Sequence, residues 1–104
     1  MPNRNYEKGY RHERAIMQWL KEKGFSTYRS AGSHSQADLI AISQGHVLLI
    51  QAKAFHLSLN ARLKIVEEMR RQTPTGYYTL KNLCLTEDWR EELKMEFNEE
   101  DIEP

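Results

Sequence analysis

Cysteine occurs once in this 104-residue chain, at Cys84. An internal disulfide is therefore excluded, and an intracellular setting is the default reading. No run approaches the roughly 18 consecutive apolar residues that a membrane helix needs. The first residues also lack the apolar stretch of a signal peptide, so the expectation is a cytoplasmic protein with no membrane partner. Repeats and low-complexity linkers are missing as well. The chain has the length of one domain, with little core to spare. A hydrophobic content of 39% against 29% charged residues marks a globular chain rather than a disordered one. Net charge is zero, which at first argues against a nucleic-acid partner. The sum conceals an asymmetry, because residues 1–71 hold 12 Lys and Arg against 6 Asp and Glu while residues 72–104 hold 3 against 9. A basic body of about +6 thus precedes an acidic end of about −6, a division that suits a polyanion-binding surface plus a solvated tail, or else ordinary charge clustering.

What is present begins with a helix pattern over 6–23, with Ile16, Met17, Trp19 and Leu20 on one stripe and Gly24 placed to end it. Glu13 precedes Ile16 and Met17 by three and four positions, so it borders the buried stripe, where a carboxylate needs a reason. A strand follows over 25–30, then a small polar loop over 31–36. Residues 38–43 and 46–55 are β-rich and meet at Gln44-Gly45, the strongest hairpin signal in the chain. With a two-residue loop, Ser43 faces His46, and the same register sets Asp38 opposite Gln51, roughly 5 Å apart at Cβ. Lys53 then shares their face by the period of two. Apolar residues occupy both faces of the hairpin, Ile40, Ile42, Val47 and Leu49 beside Asp38 and Leu39, Ala41, Leu48 and Ile50 opposite, which predicts central strands covered on both sides.

A second helix is expected over 60–72, stopped by Thr73-Pro74-Thr75-Gly76. Its Arg62, Lys64, Arg70 and Arg71 form either a phosphate-binding face or solvated charge. A strand over 77–85 and a last helix to about residue 97, N-capped by Thr86 with Trp89 inside it, complete the domain at 1–97. Residues 98–104 form an acidic tail, expected to be flexible, that suits solubility or a protein partner. Cys84 and Trp19 read as core, Trp89 and the Tyr77-Tyr78 pair as core or dimer surface. His34, His46 and His56 are scattered with no two at ligand spacing, which argues against zinc. The order α-β-β-β-α-β-α describes an α/β fold, a mixed central sheet flanked by helices.

Phosphodiester hydrolysis needs charge neutralisation on the phosphate and a hydroxide near phosphorus, which a carboxylate-held divalent ion supplies. Mg2+ asks for few protein oxygens. Asp38 would be the central ligand, Glu13 a second and the backbone carbonyl of Ala52 a third. Gln51 offers only a neutral oxygen, and Lys53 would hold the attacking water or stabilise developing charge.

Helical Glu13, Asp38 and Gln51-Ala52-Lys53 together resemble the PD-(D/E)xK nuclease superfamily. The ordered series Lys8-Gly9, Glu13-Arg14, Gly24-Phe25, Arg29-Ser30-Ala31-Gly32-Ser33, Asp38-Leu39-Ile40-Ala41 and Ile50-Gln51-Ala52-Lys53 resembles, over roughly residues 6–55, the archaeal-type Holliday-junction resolvases. That resemblance implies a restriction-endonuclease-like core and a homodimer that binds a four-way junction and nicks it symmetrically with Mg2+, for which Mn2+ would substitute, in DNA recombination and repair. It implies metal ligation by Glu13 and Asp38, with Gln51 beside them, a catalytic role for Lys53, and DNA-binding or catalytic roles for Arg14, Arg29 and Ser33. Lys8, Arg62 and Lys64 join Arg14 and Arg29 as candidate DNA contacts. Gln51 replaces the family's usual Glu, and Ala37 stands where the superfamily's name expects Pro. A restriction-type or repair nuclease with the same core, and a DNA-binding module whose site has lapsed at Gln51, are the alternatives.

Overall fold

The computed structural model describes residues 4–30, 37–72 and 79–97. In chain order these form α1 (Arg4–Glu22), β1 (Ser26–Arg29), β2 (Leu39–Ser43), β3 (His46–Ala52), α2 (Leu59–Gln72), β4 (Thr79–Leu85) and α3 (Trp89–Glu96). The α-β-β-β-α-β-α order expected from the sequence is the observed one. The tail at 98–104, the loop at 31–36 with Ser33 and His34, and Tyr77-Tyr78 lie outside the described residues. No helix among the described residues is long and apolar enough to cross a membrane.

The apolar stripe of α1 does what its spacing dictates. Ile16 and Leu20 are fully buried, and Met17 and Trp19 pack partly buried beside them. The helix ends where Gly24 takes φ 96°, its N–H donating to the Lys21 carbonyl at 3.0 Å while the Phe25 N–H donates to the Leu20 carbonyl at 3.0 Å. This pair of bonds is the Schellman arrangement, and it turns Phe25 into the core. At the other end of the chain the ring of Phe97 meets that of Phe25 at 6.1 Å, tying the end of α3 to the start of β1.

The four strands form one sheet in the order β1-β2-β3-β4. The first two pairings are antiparallel and β3 pairs with β4 in parallel, with α2 as the crossover, so the sheet is mixed. Gln44 and Gly45 both adopt positive φ, 39° and 85°, as a primed two-residue turn requires. Ser43 consequently faces His46 and Leu39 faces Ile50, the register expected from the turn.

The two sheet faces are not equally covered. Leu39, Ala41, Leu48, Ile50, Leu83 and Leu85 join Ile16 and Leu20 of α1 and Trp89 and Leu93 of α3 in one buried cluster. Trp89, left open between core and surface by the sequence, is thus core. On the other face Ile42 is 44% exposed and Ile40, Val47 and Leu49 are only half-buried. This corrects the expectation of two covered faces. The reason is that, among the described residues, α2 is the helix on that side and packs over β4, with Met69, Asn82 and Cys84 buried, while β1 and β2 are left less covered.

Candidate active site and nucleic-acid interface

The first departure from ideal geometry falls at Asp38. Its N–H donates to the Ile50 carbonyl at 2.8 Å, although Ile50 is already the partner of Leu39. Two residues entering β2 thus answer to one on β3, in the manner of a β-bulge, a device that re-aims a side chain beside a functional site. The Asp38 carboxylate uses the freed direction, and its Oδ2 accepts the Ala52 N–H at 2.9 Å. The strict register that sets Asp38 across from Gln51 accordingly ends one pair earlier, at Leu39 and Ile50. A side-chain oxygen has taken the place of a ladder carbonyl.

Lys53 is fixed just beyond the end of β3. Its N–H donates to the Leu85 carbonyl at 2.7 Å, which carries the pairing with β4 one residue further. Its own backbone favours the protonated form of His12, though more weakly than burial opposes it. His12 precedes Glu13, and α1 packs against β3, so the turn of α1 that carries Glu13 lies toward this strand. Gln51 pairs in register with Cys84. Burial pushes the Cys84 thiol up from its ordinary value; the nearby charges of Arg62 and Lys53 pull it down, and those of Glu92 and Asp38 push it up. Asp38, Gln51 and Lys53 therefore share the neighbourhood of one buried thiol.

Glu13 is itself engaged. Its Oε2 accepts from Arg29 Nε at 2.7 Å, with the two side chains 17% and 40% exposed. Arg29 reaches it because the register places Arg29 in one row with Leu39 and Ile50, on the face that α1 covers. The guanidinium of Arg29 also lies 4.8 Å from the centroid of Tyr10, and that of Arg14 lies 5.5 Å from the same ring. Tyr10, Glu13 and Arg14 occupy positions i, i+3 and i+4 of α1 and so form one patch.

The other candidate DNA contacts divide. Lys8 and Lys64 are exposed. Arg62 is turned inward, its Nε donating to the Cys84 carbonyl at 3.2 Å and its Nη1 standing 3.3 Å from Glu92 Oε2. Arg62 and Lys64 are two positions apart, about 200° around a helix, so they cannot share a face. Exposed Arg71 pairs with Glu68 at 3.2 Å.

A buried network lies behind Lys53. Glu92 of α3 is 9% exposed and accepts the Thr86 N–H and the Thr86 hydroxyl, each at 2.7 Å, besides the Arg62 contact. Thr86 does not cap α3 as the sequence suggests. The N-cap is Asp88, which makes no side-chain cap bond, and the Thr86 hydroxyl accepts the Asp88 N–H at 3.2 Å. His12, Tyr10 and Glu92 were not among the sequence candidates. Tyr10 had a signal in its helical spacing to Glu13 and Arg14. Glu92 had none, sitting in an acidic stretch where every carboxylate looks solvated.

Among the described residues, His56, Glu87 and Asp88 converge with ligand atoms within 4.8 Å of one another, all three exposed. Two loops bring them together, so no sequence spacing announces the group, and exposed acidic side chains commonly stand so without an ion. It lies apart from the Glu13, Asp38 and Lys53 set in composition.

No curated protein matches the chain. The family model described as archaeal Holliday junction resolvase (Hjc) matches residues 4–72, which span α1 to α2 and include Glu13, Asp38, Gln51 and Lys53. With that match over well more than half its length, the chain belongs to the archaeal Holliday junction resolvase family, nucleases that act on junction DNA.

Proposed function

We propose that this protein is a metal-dependent, structure-selective DNA endonuclease that resolves four-way junctions by paired symmetric nicks, acting as a homodimer. The reading is supported by a run of hydrogen bonds that links α1 to the end of β3: Glu13 Oε2 accepts from Arg29 Nε at 2.7 Å, the N–H of the next residue, Ser30, donates to the Asp38 carbonyl at 2.9 Å, and Asp38 Oδ2 accepts the N–H of Ala52, which precedes Lys53, at 2.9 Å. The donor set is all oxygen: two carboxylates, the Gln51 amide and the Ala52 carbonyl. Such a set fits a hard ion, Mg2+ with Mn2+ as substitute. When bound, the ion would supply charge neutralisation at the phosphate and an acidified water.

The remaining work falls to the chain's own groups. Lys53, anchored at its backbone, orients the attacking water and stabilises charge that develops on the phosphate oxygens. Arg14 and Arg29 hold backbone phosphates beside Glu13, with Lys8 and Lys64 further out. Ser33 would assist from the 31–36 loop. Because Gln51 brings no charge, the site holds its ion less tightly than one with three carboxylates. The half-covered sheet face, with Tyr28 56% and Ile42 44% exposed, together with Leu59 and Leu63 of α2, 65% and 51% exposed, is apolar surface of the kind a second copy would cover. A two-fold pair would present two sites to the two strands to be nicked. The acidic tail would serve solubility or a protein partner.

The test is substrate choice. A synthetic immobile four-way junction is expected to be nicked symmetrically and faster than the linear duplexes of its arms. Equal rates on both would replace the resolvase reading with a restriction-type or repair nuclease.

A further inference from the structure

We infer that Tyr10 is a positioning residue for DNA binding, a platform that gathers Arg14 and Arg29 into one phosphate-holding pair beside Glu13. The inference rests on the nuclease reading above and extends it to a residue outside the sequence candidates. Tyr10 is 38% exposed, so its ring is not spent on the core. Two guanidinium carbons lie within cation–π range of its centroid, at 4.8 Å and 5.5 Å. They come from different elements, Arg14 from α1 and Arg29 from β1, and like charges of that kind repel unless something holds them. The ring attracts both, and Glu13 Oε2 accepts from the Nε of Arg29 at 2.7 Å. A guanidinium held over a ring is restricted in the directions its N–H groups can take, which favours a fixed approach to a phosphate oxygen.

The experiment is a fluorescence-anisotropy titration of a labelled synthetic four-way junction in EDTA, at several salt concentrations, with the wild-type chain and Tyr10→Leu, Tyr10→Phe and Tyr10→Trp. Melting temperatures check that each variant is folded. Leucine keeps helix propensity and bulk but has no π face. It is expected to weaken binding roughly five-fold, because two arginine side chains that the ring holds in place must then be ordered on binding. It is also expected to flatten the dependence of log Kd on log salt by about one, the slope of a lost phosphate contact. Phenylalanine and tryptophan keep the face and are expected to bind within about two-fold of wild type. A leucine variant that matches wild type in both affinity and salt slope, while wild type binds the junction well, would overturn this inference alone. A wild-type chain that ignores the junction would overturn the parent reading and this inference with it.

Discussion

Removing the Glu92 carboxylate is expected to cost this fold more than any other single polar change described above. Glu92 accepts two hydrogen bonds of 2.7 Å from Thr86 and lies 3.3 Å from Arg62 Nη1. Thr86 is 1% exposed, so in Glu92→Ala its N–H loses its acceptor in a place water does not reach, a loss of about 1–3 kcal/mol. Arg62 loses its carboxylate but keeps the Cys84 carbonyl, and its side chain is 25% exposed, so this part is discounted to about 1 kcal/mol. A small cavity adds about 1 kcal/mol and brings the total to about 3–5 kcal/mol. Glu92→Gln keeps the shape and one acceptor oxygen but turns an NH2 group toward a donor, for about 1–2 kcal/mol. Against a total stability of about 5–15 kcal/mol, these values are readily separated by urea unfolding followed by tryptophan fluorescence. Thr86 follows Leu85, whose carbonyl anchors the Lys53 N–H, so nicking activity should fall along with stability. An alanine variant that loses less than about 1 kcal/mol, or a glutamine variant as damaged as alanine, would refute the reasoning.

Three further outcomes follow from the geometry. His12 is held below its ordinary value of 6.5, chiefly by burial and further by Lys8, against opposing effects of Glu92 and the Lys53 carbonyl. The unfolded chain therefore takes up this proton first as pH falls, and the contribution of His12 to stability is present above 6.5 and lost below it. Unfolding free energies measured against pH should show that loss, and His12→Asn should remove it. Gly45→Ala should cost about 1 kcal/mol and lower the melting temperature by a few degrees, because φ is 85° while a Cβ there meets nothing within 4 Å, leaving backbone strain as the whole effect. Gln51→Glu should tighten Mg2+ binding, seen as a larger rise in melting temperature on adding Mg2+ and a lower Mg2+ requirement for half-maximal nicking; an unchanged requirement would place Gln51 away from the ion.

The features legible in the sequence are those fixed by neighbours along the chain. Gly24 stops α1 because the C-terminal turn needs a left-handed residue, and Gln44-Gly45 sets the hairpin register because two residues at positive φ leave few alternatives. The burial of Ile16 and Leu20 follows from a period of 3.6. What the sequence conceals depends on contacts between distant segments. The bulge at Asp38 arises because its own carboxylate takes the Ala52 N–H, a competition that alternating polarity does not encode. Pattern alone assigned the Ile40 and Ile42 side of the hairpin to a covered face, since apolar strands look alike whether or not a helix lies over them. Arg62 read as a DNA contact because its sequence neighbours are basic, and only the return of α3 supplies Glu92 as its partner. The burial of His12 is hidden for a similar reason, since it depends on the packing of α1 against strands far along the chain.

The central claim is that Asp38, with Glu13 and Lys53, forms a working metal-dependent site despite Gln51. Its most direct measurement is cleavage of an immobile four-way junction by the wild-type chain and by Asp38→Asn, each in Mg2+ and in EDTA, with junction binding recorded in parallel. Wild type is expected to nick symmetrically in Mg2+ and to be silent in EDTA, and Asp38→Asn to bind the junction without cutting it. Binding by both with cleavage by neither would contradict the account and mark the chain as a junction-binding module.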